Sequence, residues 1–198
     1  MQRFLEKCVN IKRVDLEQEK QLVEKAKGDA NAFGSLYDLY YPNIFGYVLR
    51  RTANIRVTED ITSEVFFKAL KNITKFNWRG VPFSAWLYRI ATNEIASYFR
   101  HGSKNQVPWG DIAESNLDSI PSAEEELLEA EAELKRHEQY IALHDIIHKL
   151  DIKYQEVITL RFFENKQIHE ISQILGKKEG TIKSLLHRGL KILGTLIE

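Results

Sequence analysis

One cysteine, Cys8, in 198 residues leaves the chain with no intramolecular disulfide and points to a reducing cytoplasm. With no second thiol or neighbouring histidine, Cys8 reads as a plain thiol rather than a redox sensor. Four prolines permit long helices, because little interrupts the backbone hydrogen-bond ladder. No apolar run approaches the roughly 18 residues a membrane span requires. The charged start Met1-Gln-Arg-Phe-Leu-Glu-Lys7 lacks the apolar core of a signal peptide. Sustained strand alternation and solenoid-length repeats are missing as well. So is net charge, since 28 basic and 28 acidic residues cancel. A protein that gripped free duplex DNA tightly by itself would need a large surplus of Lys and Arg.

The cancellation hides a basic, acidic, basic order. Residues 66–100 set Lys68, Lys71, Lys75, Arg79, Arg89 and Arg100 against Glu94, a net of +5. Residues 111–138 hold ten acids against Lys135 and Arg136, a net of −8. Residues 177–191 return to +4, from Lys177, Lys178, Lys183, Arg188 and Lys191 against Glu179. Two positive surfaces suit a polyanion, with an anionic segment between them.

Periodicity makes the chain all-α. A first helix is expected from Leu16 to Lys27, capped by Asp15 and stopped by a left-handed Gly28. A second follows Asp29 or Asn31 and carries Phe33, Leu36, Tyr37 and Tyr40, with a break or kink at Pro42. Thr58 is expected to cap a third, whose apolar stripe is Ile61, Val65, Phe66 and Leu70. Asn72 to Pro82 reads as a loop, and a helix follows from Phe83 to Arg100. Residues 102–121 read as a linker. Ser122-Ala-Glu-Glu125, just after Pro121, has capping-box spacing and should open a long helix. The remainder is expected to be helical, broken near Asp151 and Gly176.

The sharpest local pattern is near the C-terminus. Ile168, Ile171, Ile174 and Leu175 make a short amphipathic helix; Gly176 permits a tight turn; Ile182, Leu185 or Leu186, and Leu190 make a second helix. This is helix-turn-helix spacing, in which the second helix enters the major groove. Lys183, Ser184, His187 and Arg188 share its outward face. Arg188 can fork to a guanine, Lys183 can meet a guanine or a phosphate, and Ser184 and His187 add hydrogen bonds.

The other informative stretch is aromatic. Nine of the chain's aromatic residues fall between Phe66 and Phe99, inside the first basic window. Unstacked bases need flat partners and phosphates need cations, so this interleaving suits single-stranded nucleic acid. On the helix from Phe83, the stripe Leu87, Ile90, Ala91, Ile95 and Tyr98 is assigned to the core. A second stripe, Trp86, Arg89, Asn93, Ser97 and Arg100, is polar and positive and is assigned to nucleic acid. The preceding loop, Lys75-Phe-Asn-Trp-Arg-Gly80, offers Asn77 and Trp78 to a flipped or melted base.

Three segments in order, Thr58-Glu-Asp-Ile-Thr-Ser-Glu-Val-Phe-Phe-Lys-Ala-Leu70, Phe83-Ser-Ala-Trp-Leu-Tyr-Arg-Ile-Ala-Thr-Asn93 and Gly180-Thr-Ile-Lys-Ser-Leu-Leu-His-Arg188, resemble the extracytoplasmic-function (ECF) sigma factors of the sigma-70 family. The resemblance implies two helical domains. Residues 1–102 would be a region 2-like bundle, 103–134 an acidic linker running into a helix, and 135–198 a region 4-like helix-turn-helix. It implies that Asp60, Ser63, Glu64 and Phe66 dock on core RNA polymerase. Phe76, Asn77, Trp78, Arg79, Trp86, Arg89, Asn93, Ser97 and Arg100 would hold the melted −10 element. Lys178, Thr181, Lys183, Ser184, His187 and Arg188 would read the duplex −35 element. The partners implied are core RNA polymerase, promoter DNA and an anti-sigma factor; no cofactor or metal is expected.

Three positions depart from the family pattern. Ser97 stands where aspartate is common, Lys178 where the recognition helix usually has a serine N-cap, and Leu185 where arginine is frequent. They bear on which promoter is read, not on the class. A stand-alone helix-turn-helix regulator would explain the C-terminus equally well but leave the segment around Trp86 without a role. His144-Asp-Ile-Ile-His148 superficially resembles a zinc-protease helix, but it lacks the glutamate and a third ligand. No catalytic residue is assigned.

Overall fold

The computed structural model describes residues 16–78, 81–102 and 146–197. No strand occurs among them. Four helices build the N-terminal unit: α1 (Leu16–Ala26), α2 (Ala30–Thr52), α3 (Ile55–Asn72) and α4 (Phe83–Gly102). The C-terminal unit holds α5 (Ile152–Ile158), which runs into a π-helical turn (Thr159–Phe163), then α6 (Ile168–Leu175) and α7 (Glu179–Ile197). The expected Ser122 capping box and linker, Asp15, Arg79 and His144 lie outside the described residues.

In the first unit α2 is the hub. It packs on α1, α3 and α4, and α3 packs on α4. Leu36, Ile44, Tyr47 and Val48 of α2 meet Val65 and Ala69 of α3, and Leu87, Ala91 and Ile95 of α4, in one buried cluster. Polar ties fix the register. The Tyr47 hydroxyl lies 2.9 Å from the Thr92 hydroxyl, and Thr92 donates to the Tyr88 carbonyl at 2.8 Å. Glu19 of α1 is buried and accepts a hydrogen bond from the Tyr40 hydroxyl. Burial pushes its carboxyl above the ordinary range, against the opposing pull of Tyr40, the Ser84 amide and Lys166.

Several helix ends differ from the sequence expectation. Gly28 is not left-handed, for the only positive-φ glycine among the described residues is Gly176. The chain turns at Lys27 and Gly28 without a positive φ, and the extended Asp29 then accepts from the Asn31 amide to cap α2. Pro42 does not break α2, which runs through it. Pro42 and Asp38, the residue whose carbonyl loses its partner, both face solvent, so water can replace the missing bond. Buried Tyr40 and Ile44 hold the helix on either side. The N-cap of α3 is Asn54, accepting from the Val57 amide at 3.1 Å. Thr58 sits inside the helix, buried, and donates back to the Asn54 carbonyl at 2.7 Å. Ala69, not Leu70, completes the buried stripe of α3. The expected loop after Asn72 begins with a 3-10 turn, Ile73–Lys75, that buries Ile73. A further break falls at residues 164–167, where Asn165 adopts φ 52°.

The second unit is a helix-turn-helix supported from behind. Both α5 and α6 pack on α7. The Glu170 carboxylate accepts from the Gln167 amide at 2.7 Å at the start of α6. Its end is closed by Gly176 at φ 63°, whose N–H reaches the Ser172 carbonyl. Ser172 Oγ donates to the Lys177 carbonyl at 2.6 Å, locking the turn. At Gly189 a β-carbon would stand 2.9 Å from Ile158 Cδ1 and 3.3 Å from Tyr154 Cβ, so a side chain there would have to displace the tip of Ile158 and press on Tyr154.

The two units touch. Helix α4 packs on α6, and α2 on the π-helical turn.

Candidate nucleic-acid interfaces

The outward face of α7 is sorted cleanly. Ile182, Leu186 and Leu193 are buried. Thr181, Lys183, Ser184, His187 and Arg188 are all exposed, as is Lys178 just before the first turn. The Lys178 carbonyl accepts from the Thr181 amide at 2.9 Å, so this residue occupies the helix N-cap position without a side chain able to accept. The six residues expected for duplex contact therefore form one continuous surface on a helix pinned from behind by Gly189. Leu185 is half-buried and lies at the edge of that surface.

The second surface is built differently. Phe76 is the centre of an aromatic cluster, with ring centroids 5.3 Å from Phe83, 5.1 Å from Trp86 and 6.3 Å from Trp78. Phe83 is fully buried and anchors the start of α4. Phe76, Trp78 and Trp86 are half-buried, with one part of each ring on the core and the rest open to solvent. Asn77 is exposed between them. Along α4, Arg89, Asn93 and Arg100 are exposed and Ser97 is half-buried. The expected stripe exists, but its tryptophan is not free: Trp86 is part of the core boundary. The result is an aromatic shelf continued by a polar, cationic helix face, which can stack a base and neutralise a phosphate.

The expected docking set on α3 divides. Asp60 and Ser63 are exposed. Glu64 is half-buried and paired with Lys68 at 3.1 Å, and Lys68 also reaches Glu94 of α4 at 2.7 Å. Those two carboxylates hold the Lys68 ammonium above its ordinary range. Phe66 is a core residue at 4% exposure, its ring 4.7 Å from Tyr37 and 6.2 Å from Tyr41. It therefore presents no surface. Its neighbour Phe67 is 59% exposed and Leu70 49%. Asp60, Ser63, Phe67 and Leu70 fall three and four residues apart, so they line one stripe, acidic at one end and apolar at the other. Phe67 and Leu70 were missed because consecutive Phe66 and Phe67 cannot both face the core, and the apolar stripe was counted through Leu70 rather than Ala69.

No group of three or more His, Cys, Asp or Glu side chains suited to a metal ion occurs among the described residues. No helix among them is long and apolar enough to cross a membrane.

Two family models match the chain: Sigma-70 region 2 over residues 36–105, and Sigma-70, region 4 over residues 140–193. The chain is 35% identical over 179 residues to the ECF RNA polymerase sigma factor BldN of Streptomyces coelicolor, covering 89% of this chain and 65% of that relative. It is 31% identical to the ECF RNA polymerase sigma factor SigW of Bacillus subtilis, covering 88% of this chain and 93% of that relative. Among solved structures, CnrH in complex with the cytosolic domain of CnrY shares the fold with a TM-score of 0.67. That match has 19% identity and covers 90% of this chain and 96% of that chain. RpoE of Bartonella quintana, in complex with the anti-sigma factor NepR, does so with a TM-score of 0.60 at 19% identity, covering 83% and 96%. Both matched regions, in the order the sequence places them, and the likeness to SigW along nearly its whole length, make this chain a member of the ECF RNA polymerase sigma factors.

Proposed function

We propose that this sigma factor divides promoter recognition between its two units. As a sigma factor it directs RNA polymerase to promoters and promotes DNA melting there. The unit within residues 1–102 docks on core polymerase and holds the melted −10 strand. The unit within residues 135–198 reads the −35 element as duplex, and the acidic residues 103–134 join them. The observation that carries this reading is the outward face of α7, where Lys183, Ser184, His187 and Arg188 are exposed together above a buried apolar stripe. That is the geometry a major-groove helix needs.

For the melted strand, the Phe76, Trp78 and Trp86 shelf supplies stacking, and Arg89, Asn93, Ser97 and Arg100 supply charge and hydrogen bonds. For the polymerase, the Asp60, Ser63, Phe67 and Leu70 stripe offers an apolar anchor beside a carboxylate, the composition of a partner-binding patch. The chain's zero net charge fits a factor whose DNA surfaces are positioned by a larger machine, so the free protein binds promoter duplex weakly. It leaves after initiation, works in the cytoplasm and carries out no covalent chemistry itself. An anti-sigma factor is its expected inhibitor, by likeness to the RpoE structure solved with one.

In vitro transcription with core polymerase and the purified protein, followed by start-site mapping, tests the reading. Specific starts that depend on the protein are expected; their absence on genomic templates, with no co-purification with core polymerase, overturns it.

A further inference from the structure

Helix α4 begins on residues that cannot cap it. Val81, Pro82 and Phe83 carry no side chain able to accept a hydrogen bond, and the first turn holds no acid. The Ser84 hydroxyl is engaged elsewhere, accepting from Lys166 Nζ at 3.0 Å. Yet the first amides of a helix need acceptors, and this end is closed to water, with Phe83, Ser84 and Ala85 all buried. The Ala85 amide is met by the Pro82 carbonyl at 2.9 Å. For the others the acceptor comes from a different helix. Glu19 of α1, itself 2% exposed, accepts from the Ser84 amide at 3.4 Å, and the Phe83 amide bonds to the same carboxylate. That carboxylate also accepts from the Tyr40 hydroxyl of α2. One side chain ties α1, α2 and the start of α4 together at a single point.

An apolar side chain at position 19 would hold α1 on its neighbours without the desolvation cost of a buried carboxylate. It could not accept from two amides, nor place negative charge at the positive end of α4. The point that Glu19 fixes is also where the aromatic shelf is rooted. The Phe83 ring lies 6.0 Å from Tyr40, 5.3 Å from Phe76 and 5.4 Å from Trp86. Tyr40 therefore meets Glu19 with its hydroxyl and Phe83 with its ring. Phe83 and Trp86 are three residues apart on one face of α4, so fraying of the first turn moves both rings and, through them, Phe76.

We infer that Glu19 caps α4 from outside that helix and is the positioning residue of the aromatic shelf, holding Phe76, Trp78 and Trp86 where an unstacked base can lie on them. The inference rests on the assignment of that shelf to the −10 strand. Glu19 touches no DNA itself; it acts through the Phe83 and Ser84 backbone. Loss of the cap loosens the first turn of α4 and weakens strand binding. It leaves α7, and the duplex reading assigned to it, as they are.

The test uses the full chain with Trp109→Phe, which leaves Trp78 and Trp86 as its tryptophans. Glu19→Leu removes the acceptor, and Glu19→Gln keeps one acceptor oxygen. Val23→Ala, a core change in the same helix, lowers the Tm without touching the cap. All are compared at a temperature where circular dichroism shows them folded. Holoenzyme reconstituted with core polymerase is titrated with a fluorescent single-stranded −10 oligonucleotide from a mapped promoter. Glu19→Leu should weaken that binding by about fivefold or more, while Glu19→Gln should recover most of the loss and Val23→Ala should stay near wild type. In the free protein, acrylamide should quench tryptophan emission more strongly in Glu19→Leu than in wild type or Val23→Ala. A folded Glu19→Leu with wild-type affinity and quenching overturns the cap. So does a Val23→Ala that loses strand binding equally, which would make the effect a general loosening of α1. Should Glu19→Leu not fold, Tyr40→Phe, which deletes one partner of the carboxylate, takes its place; it should move both readouts the same way by less, and no movement overturns the cap. Trp86→Ala separates the two readings. Undiminished strand binding there removes the shelf from the −10 strand, whereas a loss there beside none in Glu19→Leu removes the cap alone.

Discussion

Helices α4 and α7 are both basic and both proposed to touch DNA, yet they are built in opposite ways. On α7 every expected contact residue is exposed, while Ile182, Leu186 and Leu193 behind them are buried. On α4 the key aromatic, Trp86, is half in the core, where it packs against Phe76 and Phe83. The difference follows from what each must hold. Duplex edges are read by polar side chains projecting from a rigid rod, so core and contact functions separate around the helix. Unstacked bases need flat apolar surfaces, which the core also recruits, so the same rings serve both. Mutations should therefore separate stability from DNA binding on α7 and confound them on α4.

The sharpest way to break this comparison uses adjacent phenylalanines of α3. Phe66→Ala should cost about 3–5 kcal/mol of stability, read by urea unfolding. Phe67→Ala should leave stability within about 0.5 kcal/mol and weaken capture by immobilised core polymerase. Equal behaviour of the two would sink the docking stripe. On the rear of the recognition helix, Gly189→Leu should destabilise the fold by about 1–3 kcal/mol through overpacking on Ile158 and Tyr154, seen as a lowered Tm. Arg188→Ala should cost roughly 1–3 kcal/mol on the cognate promoter, measured as lost transcript, with the Tm unmoved. Trp86→Ala should show both losses at once: about 1 kcal/mol or more of strand binding, by fluorescence titration, and a lower Tm. A clean separation at Trp86 would erase the contrast between the two helices. The smallest effect is expected at Ala53, which ends α2 at φ 53°; Ala53→Gly should gain about 0.5 kcal/mol by relieving the left-handed backbone.

Helical class and the helix-turn-helix were legible because both depend on local period. Gly176 is the instance where the left-handed turn was required and found. Gly28 lies in its turn without a left-handed backbone, because the chain passes through it straight into the extended Asp29 that caps α2. No break occurs at Pro42, because its cost depends on which way the residue faces, and solvent on that side makes it small. The period puts Phe66 in the apolar stripe, where it packs against Tyr37 and Tyr41; the docking role that the resemblance also gives it is what its burial does not allow. The buried Glu164, which accepts from Arg50 and Tyr88, was not readable at all. The three lie at positions 50, 88 and 164, and no periodicity links residues so far apart.

The missing side chain at Gly189 has an engineering corollary. With α7 seated directly on Ile158, its azimuth is set from behind, independently of the residues that point toward DNA. Those outward positions form an exchangeable reading head: replacing Lys183, Ser184, His187 and Arg188 as a group should redirect the protein to different upstream sequences while the scaffold stays as it is.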